Sequence, residues 1–211
     1  MTLPLLGIAL AVGITSTMDA TGLSMFSALP LLPLLAILWI VRRFSRAEIG
    51  LIWGRGRYYR LAVLYPAVVL GLTALVARLA GAVDLIDPDW RKLGTNFLLM
   101  SVTGVLMLML TEEGFFRGWL WASLKRAGRD ENQTLLWSSL AFSAWHWSWA
   151  LFADGLDLAP FHATVYLVNA GVMGAVWGMF RWMSGSILVA SVSHSVWNAI
   201  AYPLFGAGPM E

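Results

Sequence analysis

Apolar stretches of roughly membrane-spanning length alternate with short polar segments along this chain. A helix needs about 20 apolar residues to cross the hydrocarbon core of a bilayer, and most of the stretches approach that length. The second stretch contains Pro30 and Pro33, which we expect to kink a membrane helix rather than end it. The predicted spans cover residues 3–17, 23–41, 61–83, 94–125, 132–153, 161–180 and 186–205. This pattern predicts an all-α, polytopic transmembrane helix bundle of about seven spans, with residues 1–211 in a single domain.

The charged residues predict the orientation of the bundle. Cytoplasmic loops near the ends of spans carry an excess of Lys and Arg. Seven spans place residues 42–60, 125–131 and Arg181 on one side, which then holds ten of the 14 basic residues, whereas the other side holds seven of the 12 acidic ones. We therefore predict a cytoplasmic N-terminus and an external C-terminus, in the cell (inner) membrane of a prokaryote. Six arginines and the aromatic Trp53 in the 42–60 segment favour an interfacial helix on anionic headgroups.

The composition agrees with a membrane protein and excludes several other classes. Hydrophobic residues make up 59% of the chain and charged residues 12%, whereas soluble domains are nearer 25% charged. The chain has no cysteine, so the sequence offers no disulfide, thiolate metal site or thiol nucleophile. A net charge of +2 is too small to indicate a nucleic-acid partner. No basic leader precedes the first apolar run, and we do not interpret that run as a signal peptide.

Two adjacent carboxylates and an arginine lie directly behind the apolar run 96–110. A charged side chain at the centre of a membrane helix costs roughly 2.5–3.5 kcal/mol, so Glu112, Glu113 and Arg117 need partners. Glu113 and Arg117 are four residues apart on one helix face, a spacing that also fits a structural ion pair. Glu112 points about 100° away and is less able to use the same partner.

Helical rise predicts that polar side chains from three spans lie at a similar depth. At about 1.5 Å per residue, Glu112 lies roughly 18–20 Å from the cytoplasmic end of its span, His146 about 21 Å and His194 about 12 Å. Asn198 follows His194 by four residues and shares its helix face. Each could be an ordinary bundle residue, but their convergence favours a functional site. His162, at the outer end of the sixth span, is predicted to be interfacial.

Two further patterns predict packing around this site. Three tryptophans, Trp145, Trp147 and Trp149, flank His146, and we expect them to pack around the site rather than form an aromatic belt at the membrane surface. Glycines spaced by four residues let helices approach closely. They form two pairs, Gly114 with Gly118 and Gly174 with Gly178.

The combination of a carboxylate, two imidazoles and an amide suits hydrolysis of a peptide bond. Glu112 could act as the general base on a water shared with neutral His146. His194 and Asn198 could donate hydrogen bonds to a developing oxyanion, where buried donors are worth several kcal/mol. The arginine would neutralise the second carboxylate and leave Glu112 free to take a proton. No covalent intermediate is needed.

Three motifs, in this order and each on its own predicted span, resemble those of the CAAX prenyl protease and bacteriocin-processing (CPBP, or Abi) family of intramembrane glutamic proteases. They are Glu112-Glu113-x-x-x-Arg117, Phe142-x-x-x-His146 and His194-x-x-x-Asn198. The resemblance covers roughly residues 95–205, the expected catalytic core. It implies that Glu112 and His146 activate the water, that His194 and Asn198 form the oxyanion hole, and that Glu113 and Arg117 support the site.

The same resemblance sets expectations for ligands and partners. It implies a site open towards the cytoplasmic side, with no metal and no other cofactor. It also implies a peptide or protein substrate with a hydrophobic or lipidated segment, surrounded by membrane lipids. Substrates in this family range from prenylated C-terminal peptides to bacteriocin leaders and proteins with sorting tags. The sequence indicates neither which of these is cut nor the oligomeric state.

Three other interpretations of these residues remain open. Glu112, His146 and His194 could instead bind zinc in a membrane metallopeptidase. Intramembrane Glu and His also build the proton relays of transporters and channels, although we find no inverted repeat in this sequence. A catalytically silent chaperone or immunity protein on the same scaffold is the third.

Overall fold

A computed structural model describes residues 2–81, 90–152 and 160–205, and this part of the chain is mainly helical, without strands. Two π-helical segments, Met100–Gly104 and Gly114–Leu120, interrupt the fourth predicted span. The α-helices are α1 (Thr2–Ala20), α2 (Leu31–Arg42), α3 (Arg57–Leu79), α4 (Trp90–Leu99), α5 (Val105–Leu110), α6 (Trp121–Arg126), α7 (Glu131–Trp145), α8 (Trp147–Phe152), α9 (Pro160–Ser184) and α10 (Ile187–Phe205).

Four helical stretches are long and apolar enough to cross a membrane, and they confirm the predicted all-α bundle of membrane type. They are Thr2–Ala20, Arg57–Leu79, Gly94–Arg126 and Pro160–Ser184; Leu31–Arg42 and Ile187–Tyr202 are apolar but shorter. Large apolar side chains point outwards, with Leu79 79% and Val102 72% exposed, as expected of a surface that faces lipid. The number of spans and the orientation stay predictions. The predicted acidic loop residues at 84–89 and 154–157, and Glu211, lie outside the described residues.

The second predicted span is shorter than expected, and its prolines have a different role. Helix α2 begins at Leu31, with Pro30 at its N-cap, and Pro33 lies in its first turn. The prediction of a kink at Pro30 and Pro33 was therefore wrong. The first N–H groups of a helix have no partner within the helix, so proline is tolerated there and helps to start the helix. The preceding residues form a short 3₁₀ turn, Ser24–Phe26.

The segment between α2 and α3 is a folded loop, not the predicted interfacial helix. Arg43 takes a left-handed conformation (φ 48°), which ends α2, and the chain then runs through turns to Arg57. Phe44 and Ile49 are buried against the bundle. Arg181 of α9 holds the loop by donating to the carbonyl of Glu48 at 2.9 Å. Phe44 and Ile49 thus face the protein, whereas Trp53 is 79% exposed, and the loop forms no helical stripe.

The second π segment lies at the centre of the bundle. All of its residues are buried, and Phe115, Phe116 and Trp119 are 0% exposed. The predicted close helix contact is present at Gly114, whereas a Cβ on Gly118 would lie nearest a loop carbonyl, that of Ile49, at 3.3 Å. A Cβ on Gly114 would lie 2.6 Å from the Leu35 side chain of α2. In the same way, Gly174 and Gly178 of α9 let that helix pack closely against α7. Arg117 of the charged motif therefore lies within a fully buried segment, which begins directly after the two glutamates.

Candidate active site

The Glu-Glu motif lies where the helix leaves regular α geometry. Thr111 ends α5 with φ −116° and ψ −96°, and its hydroxyl donates to the carbonyl of Met107 at 2.8 Å. Such bonds of a threonine to the preceding turn compete with the helical ladder and bend helices. The π segment begins at Gly114, directly after the two glutamates. Single-turn π segments recur at functional sites, since they turn side chains away from their α-helical directions.

Glu113 is the centre of a buried ionic cluster. Its Oε1 lies 3.3 Å from a guanidinium nitrogen of Arg117 and 2.9 Å from Nδ1 of His194. Glu113 and Arg117 are 0% exposed, and His194 is 4% exposed. Arg117 also donates to the carbonyl of Gly174 at 2.9 Å and lies 4.3 Å over the ring of Phe142. These contacts compensate charges that would be very unfavourable alone in an apolar interior.

The predicted Glu113–Arg117 ion pair is thus present, but the environment of His194 differs from the prediction. We expected His194 beside Glu112, whereas its direct hydrogen bond is to Glu113. The ring lies within electrostatic range of Glu112 as well. It also stacks on Trp177 of α9, with centroids 3.5 Å apart and planes 16° from parallel. Nδ1–H donates to Glu113, so Nε2 is the nitrogen that can meet another partner.

His146 occupies a turn between α7 and α8, so the predicted fifth span is two helices rather than one. Its backbone conformation (φ −82°, ψ −5°) ends α7, and α8 begins at the next residue. The Nδ1 atom lies 2.9 Å from the carbonyl oxygen of Phe142. A carbonyl only accepts, so Nδ1 must carry the proton, and in the neutral ring Nε2 has the free lone pair. This is the form of histidine that can accept a proton.

The ring of Phe142 joins the two histidines. It lies 4.4 Å from the ring of His146 and 6.2 Å from that of His194, measured between centroids. The predicted convergence of these two histidines and the charged motif is therefore present. His162 is exposed in the first turn of α9, away from this cluster. Its interfacial placement stays a prediction.

Glu112 and Asn198 are less enclosed than the cluster around Glu113. Both side chains are half-buried. Glu112 lies within electrostatic range of Arg117 and of two tyrosines, Tyr166 of α9 and Tyr202 of α10. Asn198 is one helical turn beyond His194 on α10. Within the described part of the chain, the side chains of Glu112 and Asn198 make no hydrogen bonds. Both groups are therefore available to bind a substrate.

Three site residues were missed by sequence reasoning. Tyr202 follows Asn198 by four residues, and this spacing places it on the same face of α10. The helical period of the sequence could therefore have predicted the position of Tyr202. Tyr166 and Trp177 belong to α9, where no motif singles them out. The tertiary contacts alone bring them to the histidines.

The three tryptophans around His146 do not share one role. Trp145 is buried and packs on Phe116, as predicted. Trp149 is half-buried and lies against Tyr166, with ring centroids 5.1 Å apart. Trp147 is 41% exposed, so its placement in the packing around the site was wrong.

The described residues contain no group of three or more His, Cys, Asp or Glu side chains arranged to hold a metal ion. His194 directs Nδ1 to a carboxylate that is already shared with Arg117. The donor set around Glu113 therefore has the character of an ion-pair network.

The fold and these side chains define a helical bundle of membrane type with acid–base groups in its interior. The chain belongs to the family described as type II CAAX prenyl endopeptidase Rce1-like, whose model matches residues 94–200, just over half of the chain. The protein is thus a CAAX-type membrane protease by family, as the three motifs predicted. No curated protein and no solved structure matches the chain significantly. Helices α1 to α3 precede the matched region.

Proposed function

We propose that the protein hydrolyses a peptide bond of a membrane-associated or lipid-linked substrate, with water activated by Glu112 and His146. The observation that carries this proposal is the hydrogen bond from Nδ1 of His146 to the carbonyl of Phe142. It directs the basic nitrogen of the ring away from the backbone, in the same layer as the charged motif. Glu112, half-buried and without a fixed partner among the described residues, supplies the second basic group.

The proposed reaction begins with attack of the water oxygen on the carbonyl carbon of the scissile bond. The water proton passes to Glu112, while Nε2 of His146 accepts a hydrogen bond from the same water and orients it. A general base placed in this way contributes about 10²–10⁴-fold to a rate. The C–N bond then breaks as the protonated Glu112 returns its proton to the leaving amine. The carboxylate is thereby regenerated without a covalent intermediate.

His194 and Asn198 are proposed to bind the oxyanion of the tetrahedral intermediate. Nδ1–H of His194 is engaged with Glu113, so the ring donates to the oxyanion when Nε2 also carries a proton. The carboxylate of Glu113 then balances the charge of that imidazolium. Glu113 is therefore more than the partner of Arg117, because it orients and neutralises one of the two oxyanion donors. The Asn198 side-chain amide supplies the other donor.

A quenched fluorescent peptide that ends in a farnesylated CAAX sequence is a suitable first probe, because the family is that of CAAX prenyl endopeptidases. We expect cleavage by the purified protein in liposomes, and its loss in Glu112→Ala and in His146→Ala. Both variants should keep the unfolding temperature of the wild type. His162→Ala is the matched control and should cleave normally, since its ring is exposed outside the cluster. Wild-type turnover in Glu112→Ala would contradict the assignment.

The other interpretations give different results in the same assay. A zinc metallopeptidase would lose activity after exhaustive chelation and regain it with added zinc. A silent chaperone would cleave nothing in any variant. If the prenylated peptide is not the right probe, membrane proteomes of cells with wild type and with Glu112→Ala should still differ. One precursor, with a leader or a C-terminal sorting tag, would then accumulate in the mutant cells.

A further inference from the structure

Helix α1 is bonded to both sides of the turn that carries His146. The indole Nε1 of Trp145, just before the turn, donates to the hydroxyl of Thr15 at 2.7 Å. Just after the turn, the hydroxyl of Ser148 donates to Oδ2 of Asp19 at 2.6 Å. A third bond, from Nε1 of Trp147 to the hydroxyl of Ser16, is longer, at 3.2 Å. The flanking residues of His146 are thus connected to one helix.

The face of α1 that makes these contacts is buried. Gly7, Ala11, Thr15 and Asp19 follow one another at intervals of four residues, and all are buried. This spacing forms one stripe along the helix. At its start, a Cβ on Gly7 would lie 2.1 Å from the Trp119 ring, so α1 packs directly on the second π segment. Packing therefore fixes the position of α1, and Thr15 and Asp19, at the polar end of its buried stripe, contact the residues beside His146.

The His146 turn needs such external support. Helix α7 ends at its C-cap, His146, and α8 begins at the next residue, so the backbone at the turn is not held within one continuous helix. Among the described residues, the His146 ring has one hydrogen bond, to Phe142 on the preceding turn of the helix. Breaking a buried hydrogen bond between two helices leaves an unsatisfied polar group, which is unfavourable. Hydroxyl and carboxylate groups that are paired in this way therefore hold the two helices in one arrangement.

The hydroxyl of Thr15 is engaged in both directions. It accepts from Trp145 and donates to the carbonyl of Ser27 at 3.2 Å. This defines its rotamer, so it acts as a fixed acceptor for the indole. Thr17, two residues further on, provides a contrast. It is exposed, and its hydroxyl donates to the carbonyl of Gly13 in its own helix.

We propose that α1 is a positioning element for His146, with Thr15 and Asp19 as positioning residues that hold the two sides of its turn. For its catalytic consequence the proposal rests on the proposed role of His146 in activating water. The element lies outside the region matched by the family model, which begins at residue 94. The catalytic core therefore depends on a segment that the family match does not include.

Two variants test this, Thr15→Val, which keeps the shape but removes the acceptor, and Ser148→Ala. The first readout is the ¹⁵N spectrum of histidine-labelled protein in detergent, since the chain has three histidines and His146→Ala assigns one of them. In both variants we expect the ring nitrogen signals of His146 to shift or broaden. The reason is that a less firmly held ring exchanges between its two tautomers, and its signals move towards their average. Thr17→Val is the matched control and should leave them unchanged, and Thr15→Ser should restore the wild-type signals.

The second readout is cleavage of the farnesylated peptide. We expect kcat to fall about tenfold in both variants with KM unchanged, because small misplacements of a catalytic group lower rates by one to two orders of magnitude. His146 signals at wild-type positions in both variants would overturn the proposal. An equal shift of the His194 signals would also overturn it, since the change would then affect the whole fold. A wild-type protein that cleaves neither the farnesylated peptide nor any precursor in cells would contradict the proposed function, while the spectra would still decide the role of α1.

Discussion

The two halves of the candidate site differ in how firmly their side chains are held. In the inner half, Glu113, Arg117 and His194 are at most 4% exposed and are joined through one carboxylate oxygen. In the outer half, Glu112, His146 and Asn198 are half-buried, and a hydrogen bond to Phe142 fixes one of the three.

This difference separates the electrostatic frame of the site from most of its proposed reactive groups. Buried charges must be paired, and a network with all its members in place has one arrangement. The reactive groups instead need unused lone pairs and N–H groups that a water and a peptide can meet. The inner half should therefore mainly control stability, although His194 is also a proposed oxyanion donor, and the outer half should control turnover alone.

The largest expected effect on stability comes from the inner half. Arg117→Met leaves Glu113 buried beside a single partner, and removal of one member of a buried pair costs about 3–5 kcal/mol. The matched control is Lys125→Met, because Lys125 pairs with Glu131 at 2.7 Å in an exposed setting, where such pairs contribute about 0–1 kcal/mol. The free energy of unfolding in detergent measures both. Equal losses of stability would show that burial does not distinguish the two ion pairs.

A smaller effect, on turnover alone, is expected in the outer half. Asn198→Ala removes one of the two proposed oxyanion donors, which lowers kcat by about 10²–10³-fold in comparable sites. The unfolding temperature should stay at the wild-type value, because the side chain has no hydrogen bond within the described residues. Asn169→Ala, at an exposed position of α9, is the control and should change neither quantity. A normal kcat in Asn198→Ala would remove this residue from the oxyanion hole.

The smallest expected effect lies outside both halves, in the loop between α2 and α3. Hydrogen bonds from the Ser45 backbone and hydroxyl, together with Arg126, hold the pKa of Glu48 below its ordinary value. Its contribution to stability is therefore present above the pKa of the unfolded chain and is lost as the pH falls through the lower, folded pKa. We expect less than about 1 kcal/mol for this exposed group.

Unfolding of wild type and Glu48→Gln between pH 3 and pH 7 measures this contribution. The two curves should differ at neutral pH and converge in acid. Curves that stay parallel over the whole range would show that the Glu48 charge adds nothing to folding.

The local spacing of residues predicted several features of the structure correctly. Four-residue intervals gave the Glu113–Arg117 pair and the close helix contacts at Gly174 and Gly178. Helical rise also brought His146 and His194 into one region. These features depend on the period of an α-helix, which the sequence pattern carries directly.

Other features depend on departures from that period. The sequence around His146 has tryptophans on both sides and neither Gly nor Pro, so the end of α7 had no local signal. Depth estimates also could not decide which of the two adjacent carboxylates bonds His194. The structure shows a hydrogen bond to Glu113, whereas Glu112 was the predicted neighbour. The two glutamates lie between the irregular backbone of Thr111 and the π segment Gly114–Leu120, so the directions of a regular helix do not apply there.

The unequal roles of the two adjacent glutamates are tested most directly by comparing Glu112→Gln with Glu113→Gln. Both substitutions keep the shape and remove the charge. Glu112→Gln should lower cleavage of the farnesylated peptide by about 10²–10⁴-fold, the contribution of a general base, and leave the unfolding temperature unchanged. Glu113→Gln should lower the unfolding temperature and retain partial cleavage. A stable but inactive Glu113→Gln beside an active Glu112→Gln would contradict the account.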